Sequence, residues 1–342
     1  MLNIDGGRIN DPIAIDPGEL AEACAKRGQL VVQFGRPDAY TPAKLSLLNE
    51  ACRLAPDSLQ VRFYGHYQGA FDATMLRHLP EVRDLGVDCL TKILQEEEVG
   101  KLPHLKRLIF GVFEFDQPDF LQTIELHKLE RLVLIENRKR NIDLHPLSKC
   151  ESLRDLFING HSKGIHAIAG LPRLRKLSLG AYAKTHPLDF VGAIPSLKEL
   201  TLVLGGRLHI DDMSSTTLEM LQILRVRGLS TLGDLSRFSL LSALRVEDQL
   251  QLVEVDLNGA NLERLWLANC KMLVELPGLE RQHRLKEFRA SVVALDMNLL
   301  RDRDWPQTAR SINLFSGSQK WNDDAIARLK DRGLGEKGAI WP

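Results

Sequence analysis

Near the end of this 342-residue chain, Gly333-Leu-Gly335-Glu-Lys-Gly338 has the glycine spacing of a loop that cradles a dinucleotide pyrophosphate. That chemistry needs a strand before the first glycine and a helix after the last, whose N-terminal N–H groups receive the phosphate. Here the glycines follow a helical stretch, so the segment is expected to be a flexible tail and no nucleotide cofactor is expected. Ten histidines are candidate metal ligands, but the closest pair, His161 and His166, lies in a loop without the i, i+4 spacing of a helical ligand pair. Five cysteines (Cys24, Cys52, Cys89, Cys150 and Cys270) stand singly, which argues against a zinc site and against a disulfide framework. Cys52 reads as a small buried hydrophobe on a helix. No G-x-S-x-G elbow, P-loop or Cys–His pairing marks a nucleophile. The run Arg138-Lys139-Arg140 is too short for a polybasic tract and reads as solvated charge. The chain is therefore not expected to be an enzyme, and no metal or cofactor is expected.

What the sequence does repeat is an apolar phrase with a period of 20 to 24 residues. It reads Leu105-Lys-Arg-Leu108-Ile-Phe110, Leu129-Glu-Arg-Leu132-Val-Leu134, Leu153-Arg-Asp-Leu156-Phe-Ile158, and onward to Leu262-Glu-Arg-Leu265-Trp-Leu267. The reference leucine of each phrase falls at Val61, Leu85, Leu108, Leu132, Leu156, Leu177, Leu200, Leu224, Leu244, Leu265, Phe288 and Ile312. A second apolar residue two positions on gives the period of a strand with one buried face. Leu79-Pro80, Leu102-Pro103, Leu171-Pro172 and Ile194-Pro195 mark the return from the outer side, since proline cannot donate to a strand ladder. A fixed period of this length is the mark of a stacked-repeat architecture.

The phrase resembles that of the leucine-rich-repeat family, L-x-x-L-x-L-x-x-N/C-x-L, over residues 56–318. The resemblance implies an α/β fold: a leucine-rich-repeat solenoid, or horseshoe, of about twelve repeats with a parallel sheet on its concave face and helical caps. It also implies a stand-alone protein of bacterial type. The family's Asn or Cys five residues after the reference is present only as Asn137 and Cys270. Elsewhere the place holds His66, His161, Gln249 and apolar residues, which argues for irregular outer arcs.

Stacked repeats expose apolar core at both ends and need caps. Residues 1–55 are expected to form a helix–strand–helix cap, with Asp16-Pro17 opening a helix that Gly28 stops, a strand over 30–34, and a helix opened by Thr41-Pro42. Residues 319–342 are expected to hold a closing helix N-capped near Asn322, plus the tail. Lys and Arg balance Asp and Glu at 45 each, so no global field draws the chain to nucleic acid or membrane. The first residues lack a basic start and apolar core, which points to the cytoplasm.

With the register placed, alternate strand residues face out. Ile109, Val133, Ile135 and Phe157 then form an apolar cluster. Arg225, Arg227, Arg245, Trp266 and Arg289 form a cationic cluster with one aromatic. Both compositions suit protein interfaces. The function expected is a non-enzymatic scaffold that captures a partner protein with an acidic surface, as a toxin-neutralising immunity protein or a regulatory adaptor. A secreted host-directed effector is the alternative. An enzyme on a repeat scaffold comes third, since the exposed columns hold no acid–base pair beyond Arg245 and Glu247.

Overall fold

A computed structural model describes residues 3–182 and 186–341. The chain groups into two compact units, 1–174 and 175–342. No helix among the described residues is long and apolar enough to cross a membrane.

In the first unit the strands are β1 (Arg8–Asn10), β2 (Leu30–Phe34), β3 (Leu59–Asp72), β4 (Asp84–Leu94), β5 (Arg107–Val112), β6 (Arg131–Leu134) and β7 (Asp155–Asn159). They pair in parallel and in chain order, with Ile9, Val32, Val61, Leu85, Leu108, Leu132 and Leu156 in one register. The cap holds α1 (Pro17–Arg27) and α2 (Pro42–Leu54). Asp16 accepts from the Glu19 N–H at 2.8 Å and Thr41 from the Lys44 N–H at 3.2 Å, as N-caps should. The expected cap strand proves to be a rung of the same ladder, preceded by β1, which the sequence pattern did not mark. Phe63 stacks on Phe71 at 4.6 Å and on Phe34 at 5.5 Å, joining the cap to the first long strand.

The second unit holds β8 (Lys176–Gly180), β9 (Glu199–Val203), β10 (Met220–Leu224), β11 (Ala243–Glu247), β12 (Arg264–Ala268), β13 (Glu287–Ser291) and β14 (Ser311–Phe315). One register again runs through Leu177, Leu200, Leu221, Leu244, Leu265, Phe288 and Ile312. The residue in this line on β10 is Leu221, not Leu224. Leu221/Ile223 and Leu224/Val226 both offer the apolar spacing, and all but Leu224 are buried. Strand pairing, which the sequence pattern does not contain, decides between them.

The returns between strands are mostly short three-ten turns, among them Glu96–Lys101, Phe120–Thr123, His145–Lys149 and Ile165–Gly170. Leu79, Leu102, Leu171 and Ile194, each just before a proline, are buried beneath them. Each such leucine contributes about 2 kcal/mol through apolar area removed from water. Two further helices, α3 (Met297–Asp302) and α4 (Gln319–Asp331), lie beyond β13. Helix α4 starts earlier than expected because Asn322 does not cap it. Its side chain instead accepts from the Ser316 N–H at 2.9 Å, closing the preceding turn.

Candidate functional site

Between the buried register residues of each strand stands one outward side chain. In the first unit these are Asn10, Gln33, Arg62, Gly86, Ile109, Val133 and Phe157; in the second, Ser178, Thr201, Gln222, Arg245, Trp266, Arg289 and Asn313. The expected apolar cluster forms: Ile109 pairs with Val133 and Val133 with Phe157 on adjacent strands, and all are half-buried. Ile135 completes it by leaning over Gly111, where an added Cβ would stand 2.9 Å from its own. Two strands further, Arg62 of β3 grips Asp88 of β4 through two bonds of 2.6 and 2.7 Å.

In the second unit Arg245, Trp266 and Arg289 sit directly opposite one another on three successive strands. The guanidinium of Arg245 lies 4.1 Å from the centroid of the Trp266 ring and that of Arg289 lies 5.1 Å away on β13. A cation held over the face of a Trp ring is attracted by its quadrupole. The charges are compensated locally: Arg245 bonds Glu247 at 2.6 Å, and Arg289 lies 3.9 Å from Glu287. Arg225 and Arg227 do not belong to the row. With Leu221 as the register residue they fall on the turn after β10, exposed, where Arg225 has a left-handed φ of 53°. Arg225 pairs with Asp248 at 3.0 Å. Asp248 also accepts from Asn269, and the two bonds, Asn269's foremost, hold its carboxyl below the ordinary range.

The segment expected to be a flexible tail is instead laid across this row. The Ile312 N–H donates to Leu334 O (2.9 Å) and the Glu336 N–H to Arg310 O (3.0 Å), after which the chain runs over β13 and β12. Ala339 is held at both ends of its peptide. Its N–H donates to the Glu287 carboxylate at 2.7 Å and its carbonyl accepts from Arg289 Nη2 at 3.1 Å. Trp341 is only 8% exposed, with its ring edge-on to Trp266 at 5.7 Å and the Arg264 guanidinium 4.1 Å from its centroid. A cavity of about 640 Å³ remains between Arg245, Trp266, Arg289, Asn313 and the segment Lys337–Trp341. The apolar run Ala339-Ile340-Trp341 was the available signal that the glycine spacing obscured.

The position five after the register residue is also better filled than expected. His161 accepts from the Ile142 N–H at Nδ1 (3.2 Å), which leaves Nε2–H to donate to Ile135 O (3.1 Å). His66 takes the other tautomer, donating from Nδ1 to Tyr64 O (2.7 Å) and accepting at Nε2 from the Tyr40 hydroxyl (3.0 Å). Gln249 Nε2 donates to Glu247 O at 2.7 Å, and the Cys270 thiol to Ala268 O at 3.3 Å. Four different side chains thus satisfy backbone groups where strands turn away, so the departures from Asn and Cys do not imply irregular arcs there.

Other candidates from the sequence are buried or ion-paired. Burial pushes the Cys52 and Cys150 thiols up to about 12, away from the thiolate form that attacks or binds metal. Arg138 and Arg140 reach back to Glu114 (2.7 Å) and Asp116 (2.9 Å), so the basic run is ion-paired to the preceding loop. Among the described residues no three His, Cys, Asp or Glu side chains converge.

No family model matches the sequence, and no characterised protein matches it in sequence. Among solved structures it is similar to an internalin from Listeria monocytogenes, at 14% identity and a TM-score of 0.44, over 87% of this chain and 76% of that one. It is also similar to a leucine-rich-repeat protein of Leptospira interrogans (15% identity, TM-score 0.36, over 79% and 85% of the two chains). A third is the functional domain of a second Listeria monocytogenes internalin, described as including a cysteine ladder (14%, TM-score 0.38, over 88% and 65%). The fold assignment rests on the ladder itself and not on these likenesses. A recurring leucine phrase, parallel strands in one register within each unit, and polar side chains closing the turns five residues on identify this as the leucine-rich-repeat fold.

Proposed function

We propose that the chain is a non-enzymatic scaffold that captures one partner protein on the outward face of its strands. The observation that carries the reading is the Arg245–Trp266–Arg289 row. Trp and Arg are the residues richest in binding free energy at interfaces, and here they are pre-stacked on rigid strands. The half-buried row Ile109–Val133–Phe157 offers a second contact in the first unit, and Arg225 and Arg227 flank the first row with exposed charge. An acidic partner surface fits the arginines, with its carboxylates exchanging for Glu247 and Glu287. A reducing compartment such as the cytoplasm suits five free thiols. Toxin neutralisation and adaptor duty both require one specific partner, so the identity of what is captured separates them.

Affinity capture from the source cells, followed by titration with the purified partner, tests the proposal. Trp266→Ala is expected to raise Kd about 30-fold, the size of a hot-spot truncation, with the folded state retained. Unchanged affinity in both Trp266→Ala and Phe157→Ala would refute it.

A further inference from the structure

We infer that the groove formed by Arg264, Trp266, Glu287 and Arg289 is a seat for an extended peptide segment bearing an aromatic side chain, and that residues 336–341 occupy it in the partner's place. The inference rests on the partner-binding reading above and names the chemistry of the partner's contact. Three features of the seat carry it. Glu287 and Arg289, two residues apart on β13, hold the N–H and the carbonyl of Ala339. They therefore recognise main chain, which every extended peptide presents, and not the alanine side chain. Two positions on, Trp341 enters a pocket walled by the Arg264 guanidinium and the Trp266 ring, which recognises an aromatic face. The seat thus selects an aromatic residue two positions after a main-chain clamp.

The third feature is that the segment fits imperfectly. Arg264 Nε, Arg289 Nε, Glu287 Oε2 and Trp341 Nε1 are all buried without a hydrogen bond among the described residues; Arg264 Nε and Glu287 Oε2 face each other at 3.6 Å, an ion pair too long to be one. Buried polar atoms left unpaired are costly, so a covering segment that strands four of them is poised for exchange. A partner segment carrying a carboxylate beside its aromatic residue supplies an acceptor for the Nε–H of Arg289, which lines the adjoining cavity. The cavity next to Asn313 leaves room for it.

The test uses a fluorescent synthetic peptide, Leu-Gly-Glu-Lys-Gly-Ala-Ile-Trp, copied from residues 334–341, titrated into the full chain. Trp341→Ala should free the seat, so this variant is expected to bind the peptide at least 10-fold more tightly than the wild type. The gain should vanish with a peptide ending in Ala, with W341A/W266A, and with W341A/E287A, which removes the acceptor of the Ala339 N–H but spares the aromatic packing and so guards against a misfolded double variant. Equal binding by wild type and W341A, or full binding by both double variants, overturns the inference. A partner that needs Trp266 while the peptide fails to bind overturns self-occupancy alone. A partner indifferent to Trp266→Ala while the peptide binds overturns the partner-face reading instead.

Discussion

Gly100→Ala is expected to destabilise the protein by about 3 kcal/mol or more, the upper end of what overpacking costs. Gly100 sits in the return turn Glu96–Lys101, against the next repeat's turn Phe120–Thr123. A Cβ there would stand 1.8 Å from Thr123 O and 2.7 Å from its carbonyl carbon, both inside the 3.0 Å that real Cβ contacts keep. The obstacle is backbone and has no rotamer by which to move aside. The two turns must separate, opening contacts around Val99, Phe120 and Leu121, all essentially inaccessible to solvent. Close-packed interiors absorb such a shift poorly. Gly170→Ala is the control, since nothing lies within 4 Å of the added carbon; it should be neutral or slightly stabilising. Denaturant midpoints compare the two, and equal midpoints would show that the return turns are not packed as described.

His161→Leu is expected to cost about 3 kcal/mol, because it leaves the Ile142 N–H and the Ile135 carbonyl buried and unpaired. Asn carries both a donor and an acceptor, so His161→Asn should cost less. The same site predicts a pH dependence. Burial holds the His161 and His66 imidazoles below their ordinary 6.5. Above pH 6.5 both are neutral whether folded or not, and their contribution to stability is complete. As pH falls below 6.5 the unfolded chain takes up protons that the folded chain refuses. Stability then declines, by up to about 1.4 kcal/mol per pH unit for each histidine, until the folded value is passed. Denaturation series from pH 7.5 to 5 should show the decline, and it should be shallower in His161→Asn. An identical slope in that variant would mean His161 is not held neutral.

The leucine phrase was enough to place the buried line on eleven of the twelve strands it marked, because burying one strand face imposes period two on any sequence that does so. It failed at β10, where Met220-Leu-Gln-Ile-Leu-Arg-Val226 offers two apolar pairs and only the neighbouring strands choose between them. The sign of the slip was present, in a spacing of 24 followed by one of 20 where Leu221 gives more even steps. That slip moved Arg225 and Arg227 into a row to which they do not belong. The apolar cluster and Arg245–Trp266–Arg289 were legible because in-register parallel strands convert equal repeat positions into neighbours. Long-range contacts were not legible. Nothing in the period tells that Ala339 meets Glu287 and Arg289, or that Arg264 meets the Trp341 ring. The turn-closing histidines were misjudged for another reason: the requirement there is for a donor and an acceptor, which Asn, Cys, His and Gln meet with different atoms.

The central claim is that the partner meets the outward strand face. Site-specific photo-cross-linking tests it most directly, with a photoreactive amino acid placed in separate chains at Phe157, at Asn313 beside the Trp266 row, and at His127 on a return turn. Cross-links to the captured partner from Phe157 or Asn313, and none from His127, are the predicted result. Cross-links from His127 with none from either strand position would contradict the account.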